Sequence, residues 1–448
     1  MTWILAASAG GGGGADGSGL RILFALVVVV IIALIAANRR LWLWRRSAIG
    51  ATLITGGWVA VGIGLAVGPH AVALVDAEHV QVLRPLVLFC LGWVGLMIGL
   101  QLRADLPRLL PAGVLRLTLV DLVASLLVIG LAAGAALWLA TAEARDTWSP
   151  LVMVALVLGT CGVGWAAEVR SLSGTASTAN VAANILRAAA GLAAIFAILI
   201  YGLLFIIMRH GPTGAAAALP MAVGLAVSLL VALVGGVIGL WLMRIAGRSE
   251  SQFLVVLLGI VSFIAGAAAV LGYSPLFVAM LSGVMIVNLP GRALTHFRRV
   301  VIDAEQPVAM ALMLVAGVVA DPFIGTLGVA LVVLMFAGRL IVKLPLGGWW
   351  ATGNLEHKPG ALALAPVRQA PLAIALAIGY ALSGHDQNLR LITGSQLVMV
   401  VIILGLLSDI TPQVIRMFRG DAGPSHRRTD AQRDEARHHV TVTEGGGG

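Results

Sequence analysis

Apolar residues in this chain fall in long unbroken runs rather than at the spaced positions of an amphipathic surface helix. The runs lie at about 20–37, 48–68, 86–102, 112–141, 150–167, 178–207, 216–243, 252–271, 274–289, 307–320, 324–350, 360–382 and 391–408. Many reach the roughly eighteen residues that a helix needs to cross about 30 Å of hydrocarbon at 1.5 Å per residue. The pattern predicts an all-α membrane protein with about thirteen transmembrane helices. Residues 1–19 read as a Gly-rich extracytoplasmic leader, 20–419 as the transmembrane domain, and 420–448 as a disordered basic cytoplasmic tail. The opening MTWILAASA resembles a short signal peptide but lacks a basic start, so it reads as uncleaved.

Orientation comes from the polar segments between runs. With the amino terminus outside, the inner loops hold Arg39, Arg40, Arg45, Arg46, Arg103, Arg108, Arg170, Arg244, Arg248, Arg292, Arg298, Arg299 and Lys358. The outer loops hold Arg84, Arg145, Arg209 and Arg390. Basic loops stay cytoplasmic, which puts the carboxyl terminus inside and predicts a multi-pass protein of the plasma membrane. Trp42, Trp44, Trp349 and Trp350 read as interfacial anchors.

Composition agrees. Sixty per cent of the 448 residues are hydrophobic and 11% are charged, against about 25% charged in a soluble domain. Much of the glycine lies inside the apolar runs, where small residues let helix backbones approach closely. The net charge of +9 does not indicate nucleic-acid binding, because the basic residues sit at helix ends on one side. Cys90 and Cys161 lie within apolar runs and read as buried small hydrophobes, not as a disulfide or metal site. No nucleophile–base pair or metal-ligand cluster stands out, so neither an enzyme nor a cofactor is expected.

The third run ends GLMIGLQLRADLP and the tenth contains LMLVAGVVADPF, each placing an Asp, Asp105 or Asp321, shortly after a Gly. A repeat seven spans apart has inverted topology, an arrangement typical of secondary transporters. The same offset pairs the fifth run, with LGTCGVGW at 158–165, with the twelfth, with LAPVRQAPL at 364–372. Glycines with Thr160 punctuate one, Pro366 and Pro371 the other. Proline removes a backbone donor and clashes with the preceding turn, and unwound backbone at that depth is tolerated where protein buries it or it lines a cavity. The pair predicts two crossed discontinuous helices with Thr160, Cys161, Gly162 and Pro371 at the transport core; ordinary kinked packing helices are the alternative.

From about residue 48 to 419 the chain resembles the monovalent cation:proton antiporter superfamily, the sodium/hydrogen exchanger fold. AVGPHAVALVDAEHVQVLRPLVLFCLGWVGLMIGLQLRADL is similar to its G-P turn and G-L-x-L-x-x-D ending. AAVLGYSPLFVAMLSGVMIVNLP is close to its L-G-x-S-P pattern, and GRLIVKLPLGGWWA holds Arg339 and Lys343 where the family keeps an embedded basic residue. The resemblance implies a homodimer, exchange of a monovalent cation (sodium or potassium) for protons, and a moving core of spans four to six and eleven to thirteen. One departure stands out. The family's cation-binding acids on the sixth span align with about Ala190 and Gly191, and no Asp or Glu occurs between Glu168 and Glu250. The chain therefore reads as a divergent member with atypical mechanism, in which a carboxylate restored at Gly191 is expected within reach of Lys343, Arg339 or Arg187.

Charge inside the apolar runs supplies the remaining candidates. A basic side chain at mid-membrane costs at least about 2.5 kcal/mol unless paired or hydrated. Arg187 lies about nine residues into the sixth run, roughly 14 Å deep; it either faces the core or snorkels to the inner surface. Arg339, Lys343 and Arg368 are expected to face the bundle interior, with snorkelling an alternative for Lys343. Asp121 in the fourth run reads as the ion-pair partner of one of the arginines or as a relocated proton carrier. Asp409, before Thr411 and Pro412, reads as a surface residue at a helix end. Three functions stay open: a cation:proton antiporter, a transporter of an anion or other solute on the same fold, and a non-transporting membrane protein.

Overall fold

The computed structural model describes residues 53, 56–69, 77–102, 112–140, 148–164, 177–210, 218–245, 250–288, 301, 304–354, 364, 366–369, 371–383 and 392–418. Among these, the regular elements are twelve α-helices. They are α1 (Trp58–Val67), α2 (Ala77–Gly99), α3 (Ala112–Ala140), α4 (Trp148–Val163), α5 (Ser177–His210) and α6 (Ala218–Ile245), then α7 (Glu250–Val270), α8 (Pro275–Asn288), α9 (Glu305–Val319), α10 (Gly325–Asn354), α11 (Pro371–Ala381) and α12 (Gly394–Phe418). The first apolar run, the Gly-rich leader, the tail from 420 and most of the loop arginines that set the orientation lie outside the described residues.

Five helices are long and apolar enough to cross a membrane by length and composition: Val114–Ala140, Ala188–Ile207, Pro220–Arg244, Gly325–Gly348 and Gly394–Ile415. Their faces fit lipid as solvent. Only 28% of the apolar window of α6 and 39% of that of α3 is buried inside the protein. Leu131 and Leu139 on α3 and Leu230 and Trp241 on α6 stand outward, a contiguous apolar surface unlike that of a soluble monomer.

The helices pack in two groups. One comprises α1, α2 and α6 to α9; the other comprises α3, α4, α5, α10, α11 and α12. The groups meet where α5 packs on α2, α6 and α8, where α9 packs on α11 and α12, and where α2 packs on α11. Glycine sets the closest approaches. A Cβ on Gly64 would strike the Leu314 carbonyl of α9, and one on Gly95 would strike the Leu276 carbonyl of α8. Without a hydrophobic drive between helices in lipid, such backbone proximity is the source of packing energy.

Two expectations change here. The helix α12 does not stop before Pro412 but runs on to Phe418. Proline removes one donor and the bond to the carbonyl four residues back, yet the helix continues because an unwound segment at this depth would orphan further backbone groups. Asp409 is consequently not a surface residue at a helix end: it lies inside α12 and is 4% exposed. In the fifth run, α4 continues through Thr160, Cys161 and Gly162 and stops at Val163, at the far edge of the expected break.

Candidate functional site

The centre of the second helix group is the carboxyl-terminal end of α4. Its last carbonyls have no partner within the helix and carry the negative end of its dipole. Two cations from α10, one turn apart, occupy that position. Arg339 donates through Nη1 to Gly162 O at 2.6 Å and through Nη2 to Gly164 O at 3.0 Å. Lys343 donates through Nζ to Val163 O at 3.1 Å. Both side chains are fully buried, so the snorkelling alternative for Lys343 does not hold.

Arg339 also spans to the segment before α11. Its Nε donates to Val367 O at 3.1 Å and its Nη2 to Arg368 O at 3.0 Å. One planar guanidinium thus ties the end of α4 to the short 3-10 turn and bend that precede α11, using a rigid fork that a lysine lacks. Pro371 is the first residue of α11, where its missing N–H costs nothing and its fixed φ favours helix. Cys161 lies against the next turn, its thiol directed to Ala373 O at 3.6 Å, and the Thr160 hydroxyl donates to Val157 O of its own helix at 2.6 Å.

Asp121 on α3 supplies the countercharge, and its partner is Lys343 rather than an arginine. Lys343 Nζ lies 2.6 Å from Oδ1 and 2.8 Å from Oδ2, and the Ser125 hydroxyl donates to Oδ1 at 3.3 Å. A buried charge pair offsets its desolvation only with good geometry and further hydrogen bonds; this pair has both. The arrangement gathers Thr160, Cys161, Gly162, Arg339, Lys343, the Arg368 backbone, Pro371 and Asp121 into one locality.

Ala190 and Gly191 of α5 make none of these hydrogen bonds. Ala190 is buried, and a Cβ on Gly191 would point at the Gln101 side-chain oxygen, 2.8 Å away. The helix α5 packs on α2, α3, α4, α6, α8 and α11, whereas α10 packs on α3 and α12. A carboxylate at Gly191 would therefore meet Gln101 first, with Lys343 and Arg339 already engaged elsewhere. Arg187 lies in α5, but its side chain lies outside the described residues.

A second buried charge pair escaped the sequence reading. Arg368 Nε lies 3.7 Å from Asp409 Oδ1, and the Trp58 indole N–H donates to Asp409 Oδ2 at 2.9 Å. The pair lines a cavity of about 80 Å³ between α1, α9, α11 and α12. The available signal was Asp409 itself: an acid inside a 25-residue helical stretch that Thr411 and Pro412 appeared to cut short. Among the described residues, no group of three or more His, Cys, Asp or Glu is placed to hold a metal ion.

This fold has a counterpart of known structure. The chain is similar to the sodium proton antiporter MjNhaP1 from Methanocaldococcus jannaschii, with a TM-score of 0.60 over 88% of this chain and 98% of that one. Sequence identity is 14%, so the likeness is one of fold. No protein-family model and no curated protein sequence matches the chain. The chain is a multi-pass membrane protein with the fold of a sodium proton antiporter.

Proposed function

We propose that this chain is a secondary active transporter that exchanges a monovalent cation, sodium or potassium, for protons by an atypical mechanism. The observation that carries the reading is the antiporter fold combined with the buried Arg339–Lys343–Asp121 cluster at the α4 end. A core that moves as a unit needs its non-helical backbone ends satisfied from within, and a clamp of one guanidinium and one ion pair meets that need. The helix α4 and the segment before α11 act as the two crossed discontinuous helices. The six helices α3, α4, α5, α10, α11 and α12 act as the moving core. The remaining helices act as the scaffold and homodimer face, within a thirteen-span arrangement with the amino terminus outside.

The sixth-span position offers Ala190 and Gly191, neither of which can bind a cation or a proton. Asp121 is engaged by Lys343, so exchange through Asp121 requires Lys343 to withdraw. A second reading, transport of an anion or other solute on the same fold, is favoured by the loss of those acids beside retained basic side chains. The test is flux in reconstituted vesicles with an internal pH dye. Sodium or potassium gradients driving proton movement support the first reading, and anion-driven movement the second. Absence of both across a broad pH range refutes transport.

A further inference from the structure

The cavity beside Asp409 is built from helix beginnings. Gly56, Gly57 and Trp58 bring the start of α1 to it, Pro371 and Ile374 the first turn of α11, and Gln306 the first turn of α9. The three helices are 10, 11 and 15 residues long. Neither α1 nor α9 has a side-chain cap hydrogen bond at its amino end. Gly57 takes φ 78°, which turns the chain sharply into α1.

The charges can be balanced group by group. Arg368 and Asp409 cancel. Glu305 opens α9 and more than offsets the half positive charge of that helix's amino end, leaving about half a negative charge. The amino ends of α1 and α11 then remain, each contributing about half a positive elementary charge, so the balance is about half a positive charge in all. The helix α1 carries no charged residue within Trp58–Val67, and α11 carries none within Pro371–Ala381. The cavity is positive despite its acid.

An independent observation points to a ligand. Gln369 lines the cavity, is 4% exposed, and neither its amide oxygen nor its amide nitrogen has a hydrogen-bond partner among the described residues. A buried amide left unbonded in this way calls for a partner that enters from outside. About 80 Å³ has room for a small ion with its remaining waters. Met310, Met313 and Ile374 make the remaining wall apolar, which suits a weakly hydrated ion.

We propose that this cavity binds a small monovalent inorganic anion, of the class of chloride or nitrate, between the first turns of α1 and α11, Arg368 and the Gln369 amide. The assignment concerns binding and stands whether or not the chain transports. A cation would face two helix amino ends and Arg368, with Asp409 as the one acid among the residues that line the cavity.

The test is calorimetric titration of the full-length protein in detergent with sodium chloride, sodium nitrate and potassium gluconate, alongside thermal unfolding in the same salts. Chloride or nitrate should bind and stabilise the protein relative to gluconate at equal ionic strength. Gln369→Leu should weaken anion binding by at least about tenfold while leaving the anion-free protein at least as stable, since it removes an unpaired buried amide. Asp409→Asn should strengthen anion binding by about tenfold or more, because it removes a like charge from the cavity. A cation site predicts the opposite sign for Asp409→Asn. Overturning results are no difference between chloride and gluconate in the wild type, unchanged affinity in Gln369→Leu, or sodium or potassium binding lost in Asp409→Asn. Vesicle flux distinguishes this site from the transport reading: anion binding without flux refutes transport alone, and flux without anion binding refutes the site alone.

Discussion

Replacing Asp121 by leucine strands an ammonium group. Lys343 is fully buried and the side chain of Asp121 is 8% exposed, with 2.6 Å between the charges. After the substitution, Lys343 keeps its hydrogen bond to the Val163 carbonyl at 3.1 Å. Breaking a buried pair on one side costs about 3–5 kcal/mol, because the surviving charge stays desolvated. Lys343→Met should cost a similar amount, leaving the Asp121 carboxylate with the Ser125 hydroxyl. The double variant removes both charges and forfeits the cap on Val163, a loss of about 1–3 kcal/mol. Additive effects would total about 6–10 kcal/mol, so the cycle should return a coupling of at least about 3 kcal/mol. Unfolding of the purified protein in mixed micelles, by titration with a denaturing detergent, measures each corner. Additive losses, or a harmless Asp121→Leu, would refute the claim that this pair is held by mutual neutralisation.

The remaining expectations are shorter. Arg339→Lys should destabilise by about 2–4 kcal/mol in the same assay, since a point charge cannot serve the carbonyls on both sides of the α4–α11 junction; equal stability would show that the planar fork is dispensable. Trp58→Phe removes the donor to Asp409 and should cost about 1.5–3 kcal/mol, the worth of a hydrogen bond to a charged group. Gly95→Val drives a side chain into the Leu276 carbonyl and should lower the monodisperse fraction on size-exclusion chromatography, at a cost above about 3 kcal/mol. Gly191→Asp should confer no new cation flux in vesicles, because its carboxylate meets Gln101 rather than Lys343 or Arg339; a clear gain would reinstate the α5 position as a latent ion site.

What the sequence by itself determined follows from the solvent. In lipid, helices satisfy their own backbone groups, so apolar runs such as 112–141 and 216–243 specify α3 and α6 nearly to the residue. Embedded cations cost enough that Arg339 and Lys343 had to face protein, and both do. The end of α4 at Val163 and the start of α11 at Pro371 fall beside the glycines and prolines that act on their own turn of helix. Tertiary structure decided everything that depends on direction across the bundle. Lys343 and Asp121 are 222 positions apart and Trp58 and Asp409 are 351 apart, and nothing local selects either partner. Asp409 looked like a helix end because Thr411–Pro412 is a local stop signal, whereas the surrounding helices bury that turn and keep it wound. Gly191 has no side chain to mark a face, so its direction toward Gln101 emerges only once α5 is packed. Local backbone chemistry is written residue by residue, but the pairing of buried charges is set by which helix ends meet, and that is a property of the assembled bundle.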